Sequence, residues 1–214
     1  KYNTFFTEVD DEIWTASAGH GWNRNNGFTI HQYAFSDSLS GLKGSFIQSK
    51  LYPDDKSRLW SSTYEYIIVW DKTKDQFESI KLKDNNGKLV DIGYHIFHID
   101  KIDKSLYLRG NDQLYILDTD SRKVKKHVGQ TISNSYCVWK DTIAGAPWMN
   151  REGFEIWNRT DQNWSKSYIT ASACSLLKGR KVTKILHFEQ NIWLITDDGL
   201  ILYNLQAPNK SILY

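Results

Sequence analysis

Ile192-Trp193-Leu194-Ile195-Thr196-Asp197-Asp198-Gly199-Leu200-Ile201-Leu202-Tyr203-Asn204 is the stretch that decides the fold. Two apolar runs flank Asp198-Gly199, a dipeptide that favours the left-handed backbone of a tight hairpin turn. The runs are too short for helices and rich in Ile, Leu and aromatics, so they read as two antiparallel strands. Trp193 stands near the start of the first run, and Tyr203-Asn204 closes the second.

The same arrangement recurs outward along the chain. Ile13-Trp14, Leu59-Trp60, Leu106-Tyr107, Pro147-Trp148 and Ile192-Trp193 follow one another at intervals of about 45 residues. Beyond each anchor comes a second aromatic or apolar residue followed by Asn or Asp: Trp22-Asn23, Trp70-Asp71, Leu117-Asp118, Trp157-Asn158 and Tyr203-Asn204. A third apolar mark follows at Phe28, Phe77, Val124, Trp164 and Ile212. Each copy reads as four short strands. In the second copy they are predicted at 45–51, 58–62, 66–71 and 76–82, with a turn at Pro53-Asp54-Asp55. In the fifth they are predicted at 183–188, 191–196, 200–203 and 211–214.

Four-stranded units of this period are propeller blades. The predicted fold is an all-β propeller of five four-stranded blades, as one domain or a fragment of one. The blades cover approximately 1–34, 35–82, 83–128, 129–170 and 171–214. A lone blade cannot bury both of its faces. Neighbouring blades must therefore stack, with the large aromatic anchors filling the space between them. The Asn or Asp after the second aromatic starts the turn into the outer strand.

Composition agrees. The chain has 9 Trp, 12 Tyr and 9 Phe but a single Met, a balance that favours sheet over helix. Net charge is +2, from 27 basic and 25 acidic residues, so no broad field draws the protein to nucleic acid. No run of 18 apolar residues is present, so no membrane insertion is expected. The opening Lys1-Tyr2-Asn3-Thr4-Phe5-Phe6 does not read as a signal peptide. Cys137 and Cys174 belong to no CxxC pair and are expected to be free thiols.

Leu39-Ser40-Gly41-Leu42, Leu59-Trp60-Ser61-Ser62-Thr63, Ile68-Val69-Trp70-Asp71 and the fifth-copy stretch resemble the two-component regulator propeller repeat. The resemblance covers essentially the whole chain and is strongest in copies two and five. Copy three departs from it with Tyr107 and Arg109-Gly110, and copy four with Pro147-Trp148-Met149. The resemblance implies the extracytoplasmic sensor region of a bacterial two-component system, on the periplasmic or extracellular side of the membrane. It also implies a glycan-derived ligand. Such sensors usually carry more than five repeats. The chain therefore reads as a closed ring of five, an arc of a larger propeller, or arcs closing in a homodimer.

No nucleophile elbow, P-loop or catalytic triad is legible, so the chain is read as non-catalytic and without a cofactor. Paired acidic residues such as Asp54-Asp55 and Asp197-Asp198 suit turn chemistry better than glycoside hydrolysis. His95 and His98 lie in a strand-like run, which would put them on opposite faces and deny them a shared metal. The basic run from Arg122 to His127 reads as a sheet edge protected by lysines. Loops after the anchor strands converge at one end of a propeller. They supply the candidate ligand-binding residues His20, Tyr64, Glu65, Tyr66, Asn111, Arg151, Glu152, Asp197 and Asp198. The expected partner is a small molecule or an oligosaccharide. A protein-interaction scaffold, and a propeller glycoside hydrolase or lyase, are the alternatives.

Overall fold

The computed structural model describes residues 4–17, 19–83, 86–90, 93–147, 151–160, 163–188 and 191–214. Among the described residues, five four-stranded antiparallel meanders follow one another along the chain. The first holds β1 (Thr4–Val9), β2 (Glu12–Ser17), β3 (Gly21–Asn25) and β4 (Ile30–Ala34). The second holds β5 (Tyr52–Pro53), β6 (Leu59–Ser62), β7 (Ile67–Asp71) and β8 (Gln76–Ile80). A small two-stranded sheet, β9 (Leu82–Lys83) with β10 (Leu89–Val90), comes next. The third meander holds β11 (His95–Asp100), β12 (Ser105–Gly110), β13 (Gln113–Asp118) and β14 (Val124–Gln130). The fourth holds β15 (Ser133–Trp139), β16 (Thr142–Pro147), β17 (Phe154–Thr160) and β18 (Asn163–Ile169). The fifth holds β19 (Val182–Phe188), β20 (Asn191–Thr196), β21 (Leu200–Tyr203) and β22 (Ile212–Leu213). This is the all-β propeller fold. Among the described residues, no helix is long and apolar enough to cross a membrane.

The chain divides into two compact units, Lys1–His127 and Val128–Tyr214. In the first unit, Trp14, Trp22 and Tyr33 of the first sheet pack against Leu59, Ile68, Trp70 and Phe77 of the second. Trp14 meets Trp70 edge-on at 4.9 Å and is fully buried. A ring buried to this degree contributes on the order of 4 kcal/mol of transfer free energy before entropy is charged against it. The Arg24 guanidinium lies 5.3 Å from the Trp70 ring and pairs with Asp75 at 2.8 Å, while Tyr33 Oη donates to the same carboxylate. A second core joins Trp60, Ile67 and Val69 to Ile96, Leu106, Leu108 and Leu117 of the third sheet. In the second unit, Ala144, Ala146, Phe154 and Ile156 face Val182, Ile185, Leu194 and Ile201.

Cross-strand register shows which residues are equivalent. Leu59 stands opposite Trp70, Leu106 opposite Leu117, and Ile192 opposite Tyr203. In the fourth sheet Ile143 stands opposite Trp157, so Ala144 takes the anchor position there. Trp148, the expected anchor, lies outside the described residues. In the first sheet Ile13 faces Asn25, and Trp22 pairs with Ala16 instead. Trp22 therefore points to the same side as Trp14, whereas Trp70 points to the other. The third apolar mark is largely a surface mark. Phe77 is buried, but Phe28 is 96% exposed in the turn before β4, and Ile212 is half exposed. That turn is set by Asn25 and Asn26, whose side-chain carbonyls accept from Gly27, Phe28 and Thr29 amides.

The strand predicted at 45–51 is not regular. Ile47 makes an isolated bridge to Thr63, and β5 begins only at Tyr52. Ser49 interrupts the ladder. Its hydroxyl accepts from the Ser62 amide, and its carbonyl accepts from the Ser61 hydroxyl. Side-chain hydroxyls here replace the backbone pairs a regular strand would make. Of the basic run, Lys125, Lys126 and His127 fall on β14, an edge strand of the third sheet, and Arg122 and Lys123 precede it. Cys137 and Cys174 are free thiols in the second unit, with burial pushing the Cys137 thiol up to about 12.

Candidate functional site

The predicted residues sit on the hairpins that follow the second strands, and tight-turn chemistry shapes these hairpins. Asn111 and Asp112 have φ of +49° and +56°, the pair of left-handed residues a two-residue hairpin requires. At the β6–β7 turn, Thr63 N–H donates to the Tyr66 carbonyl, and Tyr66 N–H donates to Thr63 Oγ1. At the β20–β21 turn, Thr196 Oγ1 bonds Asp198 Oδ1 and the Gly199 carbonyl.

These hairpins clamp the segments that lead into the sheets. In the first unit, the Glu65 carboxylate accepts from Ser45 N–H at 3.0 Å and Ser45 Oγ at 2.6 Å. A Cβ on Gly19 would lie 3.9 Å from the Ser45 carbonyl, so the hairpin bearing His20 borders the same segment. The Tyr64 carbonyl accepts from Gly93 N–H at 2.8 Å, and a Cβ on Gly93 would lie 3.7 Å from the Asn111 amide. His20, Tyr64, Glu65 and Asn111 thus lie at one end of the first unit, on hairpins of three successive sheets. Tyr66 is turned towards the core, with Lys81 Nζ 5.4 Å from its ring centroid.

The second unit repeats the device. Glu152 Oε1 accepts from Gly179 N–H at 3.1 Å, and Asp197 accepts from Lys181 N–H at 3.1 Å. Asp198 pairs with Arg180 at 2.9 Å. Arg151 is exposed beside Glu152. Four of the predicted residues, Glu65, Glu152, Asp197 and Asp198, thus use their carboxylates to hold loops in place. Tyr64, His20 and Arg151 present exposed side chains. Sequence reasoning missed Glu155. It is fully buried on β17 and accepts from Thr131 Oγ1, Ser133 Oγ and Ile132 N–H, with Lys166 as its ion-pair partner. The available signal was a carboxylate inside the apolar run Phe154-Glu155-Ile156-Trp157.

Beside Asn111 the first unit opens into a cleft of about 580 Å³. One side is the β9–β10 hairpin, with Asn86, Lys88, Leu89 and Val90. The other is the third sheet, with Asn111, Gln113, Tyr115 and His127. His127 Nε2 and Gln113 Oε1 are 2.8 Å apart, and the His127 ring stacks on Tyr115 at 5.2 Å. The lining joins carboxamides, an imidazole, an ammonium and a phenol to an aromatic surface. This chemistry binds hydroxyl groups and the apolar face of a ring. None of the described lining residues is a carboxylate. The acid and nucleophile of glycoside hydrolysis are therefore not paired among them. Of the cleft residues, only Asn111 was predicted. Gln113, Tyr115 and His127 alternate with core positions or lie on an edge strand, so their sequence pattern is that of ordinary strands.

His95 and His98 correct the sequence reading. A β-bulge lies between Ile96 and His98, so His95 pairs with Arg109 and His98 with Tyr107. Arg109 and Tyr107 point to one side of β12, and the extra residue puts both histidines on that side. Among the described residues, no group of three His, Cys, Asp or Glu side chains could hold a metal.

No protein-family model matches the chain, and no curated protein matches it. Solved structures do. The extracellular domain of a one-component system from B. thetaiotaomicron has a TM-score of 0.77 at 16% identity, over 100% of this chain and 31% of that one. The extracellular domain of a hybrid two-component system from the same organism has a TM-score of 0.70 at 16% identity, over 98% of this chain and 29% of that one. The Pan2 WD40 domain of Neurospora crassa has a TM-score of 0.64 at 12% identity, over 98% of this chain and 63% of that one. The chain spans about a third of the length of the two bacterial structures it matches. At this identity the likeness shows the propeller fold alone.

Proposed function

We propose that the chain is an extracytoplasmic, non-catalytic ligand-sensing module of a two-component regulatory system, responding to a glycan-derived ligand. The observation that carries the reading is the cleft beside Asn111. It offers side-chain amides and the His127–Tyr115 stack next to the hairpin end of the first unit. Polar groups that bond hydroxyls and an aromatic surface that packs on a sugar ring are what an oligosaccharide requires. The exposed Tyr64 and His20 lie on that same end, and Arg151 offers a cation on the corresponding loop of the second unit. The bacterial structures of like fold are extracellular domains of signalling systems, which supports a sensing role and a location outside the cytoplasm. A resemblance to the two-component regulator repeat supports the same assignment.

The test is a thermal-shift and calorimetric screen against oligosaccharides. A ligand at a hundred times its Kd stabilises the folded state by about 2.7 kcal/mol, a rise in Tm of roughly 5–10 °C for a chain of this size. The rise is expected to disappear in the double variant Gln113→Ala, His127→Ala. If Tyr64→Ala with Arg151→Ala abolishes it instead, the hairpin rim and not the cleft is the binding surface. No shift with any glycan would sink the sensing proposal and favour the scaffold.

A further inference from the structure

The two-stranded sheet between the second and third meanders is too small to hold its own shape. Each strand has two residues, and an isolated hairpin of that size is not stable in water. A buried tyrosine supplies what the ladder lacks. Tyr94 Oη accepts from Leu82 N–H at 3.0 Å and donates to the Val90 carbonyl. Leu82 and Val90 stand directly opposite one another, so one hydroxyl ties both strands to the residue that leads into β11. Tyr94 is fully buried, and Leu82, Val90 and Tyr94 pack in one core with Trp60, Leu106 and Leu108.

Gly110 fixes how near this hairpin stands to the third sheet. It is the last residue of β12 and precedes Asn111 of the cleft, at the Arg109-Gly110 pair where the third copy departs from the repeat. A Cβ there would lie 2.7 Å from Val90 Cγ1 and 3.3 Å from Tyr94 Cδ1. Val90 is buried and β-branched, so its methyl group has no easy rotamer to retreat to. A side chain at position 110 would push β10 away from β12.

The two walls of the cleft differ in how they are held. Gln113 and Tyr115 belong to β13, which is paired with β12 from end to end. Asn86, Lys88 and Leu89 belong to the hairpin, whose strands form a sheet of their own. Besides apolar packing, the Tyr94 hydroxyl and the bare backbone at Gly110 are what place that wall. Neither residue is among the described residues that line the cleft.

We propose that Tyr94 and Gly110 are positioning residues for ligand binding. They hold the wall that carries Asn86 and Lys88 across the cleft from Gln113 and His127, so that an oligosaccharide is gripped from both sides. This rests on the cleft being the binding surface. Tyr94→Phe removes only the hydroxyl, and Gly110→Ala adds only the Cβ. Circular dichroism checks that both variants keep their sheet content. In the ligand-free protein, hydrogen exchange of the Leu82 amide is expected to accelerate about tenfold or more in Tyr94→Phe, while β12 and β13 keep their protection. Calorimetry then uses short linear oligosaccharides of glucose, xylose, galactose, arabinose and galacturonic acid. Affinity for those that bind the wild type is expected to fall about tenfold or more in each variant. Two double-variant cycles separate positioning from general damage. Lys88→Ala costs affinity in the wild type but is expected to cost less than about twofold more in Tyr94→Phe, where its wall is already displaced. His127→Ala, on the other wall, is expected to cost as much in Tyr94→Phe as in the wild type. General damage would treat the two walls alike, so an additive Lys88→Ala loss overturns the proposal. So does an oligosaccharide affinity unchanged in either variant, or an unchanged Leu82 exchange rate in Tyr94→Phe; each of these leaves the cleft as the binding surface. If none of the sugars binds the wild type, the glycan reading fails and this role of the hairpin with it.

Discussion

Asp54 shows how one side chain can hold an anchor. It is 3% exposed, and its carboxylate accepts from Trp60 Nε1, from Arg58 Nε and from the amides of Lys56 and Arg58. The sequence assigned this residue to a turn, and it makes one, but it also satisfies the indole N–H of a fully buried Trp. His95 works in the opposite sense. Burial, and then the Arg109 charge, push its imidazole down to about 4 from an ordinary value of 6.5. The folded state therefore binds fewer protons than the unfolded state between those two values, and stability must fall as pH drops from 6.5 towards 4. The expected loss is on the order of 2 kcal/mol. Urea midpoints at pH 7 and at pH 4.5 would measure it, and His95→Gln should flatten the difference. An identical pH dependence in wild type and variant would assign the effect to other groups.

At the scale of the element, turns decide where strands begin and which way their residues face. Gly41 closes a single 3₁₀ turn, Ser38–Ser40, with φ of +68°. A Cβ there would sit 1.8 Å from the Phe77 carbonyl oxygen. Gly27 also has positive φ, +88°, but an added Cβ meets nothing within 4 Å. Gly27→Ala is expected to cost about 1 kcal/mol, the strain of a left-handed residue, while Gly41→Ala should cost at least about 2 kcal/mol more. Chemical denaturation of the two variants separates the terms; equal losses would show that the Phe77 strand yields freely. The clamps at Glu65, Glu152 and Asp197 belong to the same scale. Each bonds a backbone N–H of a neighbouring segment.

At the scale of the molecule, the aromatic and aliphatic cores close within the two units. Trp14, Trp60 and their partners lie in the first, and Ile185, Leu194 and Tyr203 in the second. Stacked repeats draw stability from nearest-neighbour contacts. Ile185→Ala removes a fully buried side chain and is expected to cost about 2–5 kcal/mol. Hydrogen exchange should then accelerate in the strands from β15 to β22, while amides of β2, β6 and β12 keep their protection. Uniform acceleration along the chain would show that the two units unfold together.

The repeat of aromatic anchors was enough to determine the sheet, because an alternating apolar pattern with a tight turn admits few other local structures. Asp198-Gly199 does lie at the turn of the fifth sheet, but neither residue takes the left-handed backbone that this pair favours. The strands of that sheet were readable to within a residue at their ends. Anchors that drift in spacing were not. Ala144 holds the position expected of a Trp, and Trp22 turns to the side of Trp14, because register is set by cross-strand pairing and not by distance along the chain. The bulge beside His98 is of the same kind: one added residue reverses a face, and its cause is tertiary. The hairpin end was legible as a place, yet the use of Glu65, Glu152 and Asp197 as clamps was not. A carboxylate in a turn can point to a ligand or to a neighbouring amide, and only the packing of one sheet beside the next decides which. The cleft at Tyr115 and His127 follows from that packing as well. Whether an apolar strand residue is core or surface depends on what another sheet covers.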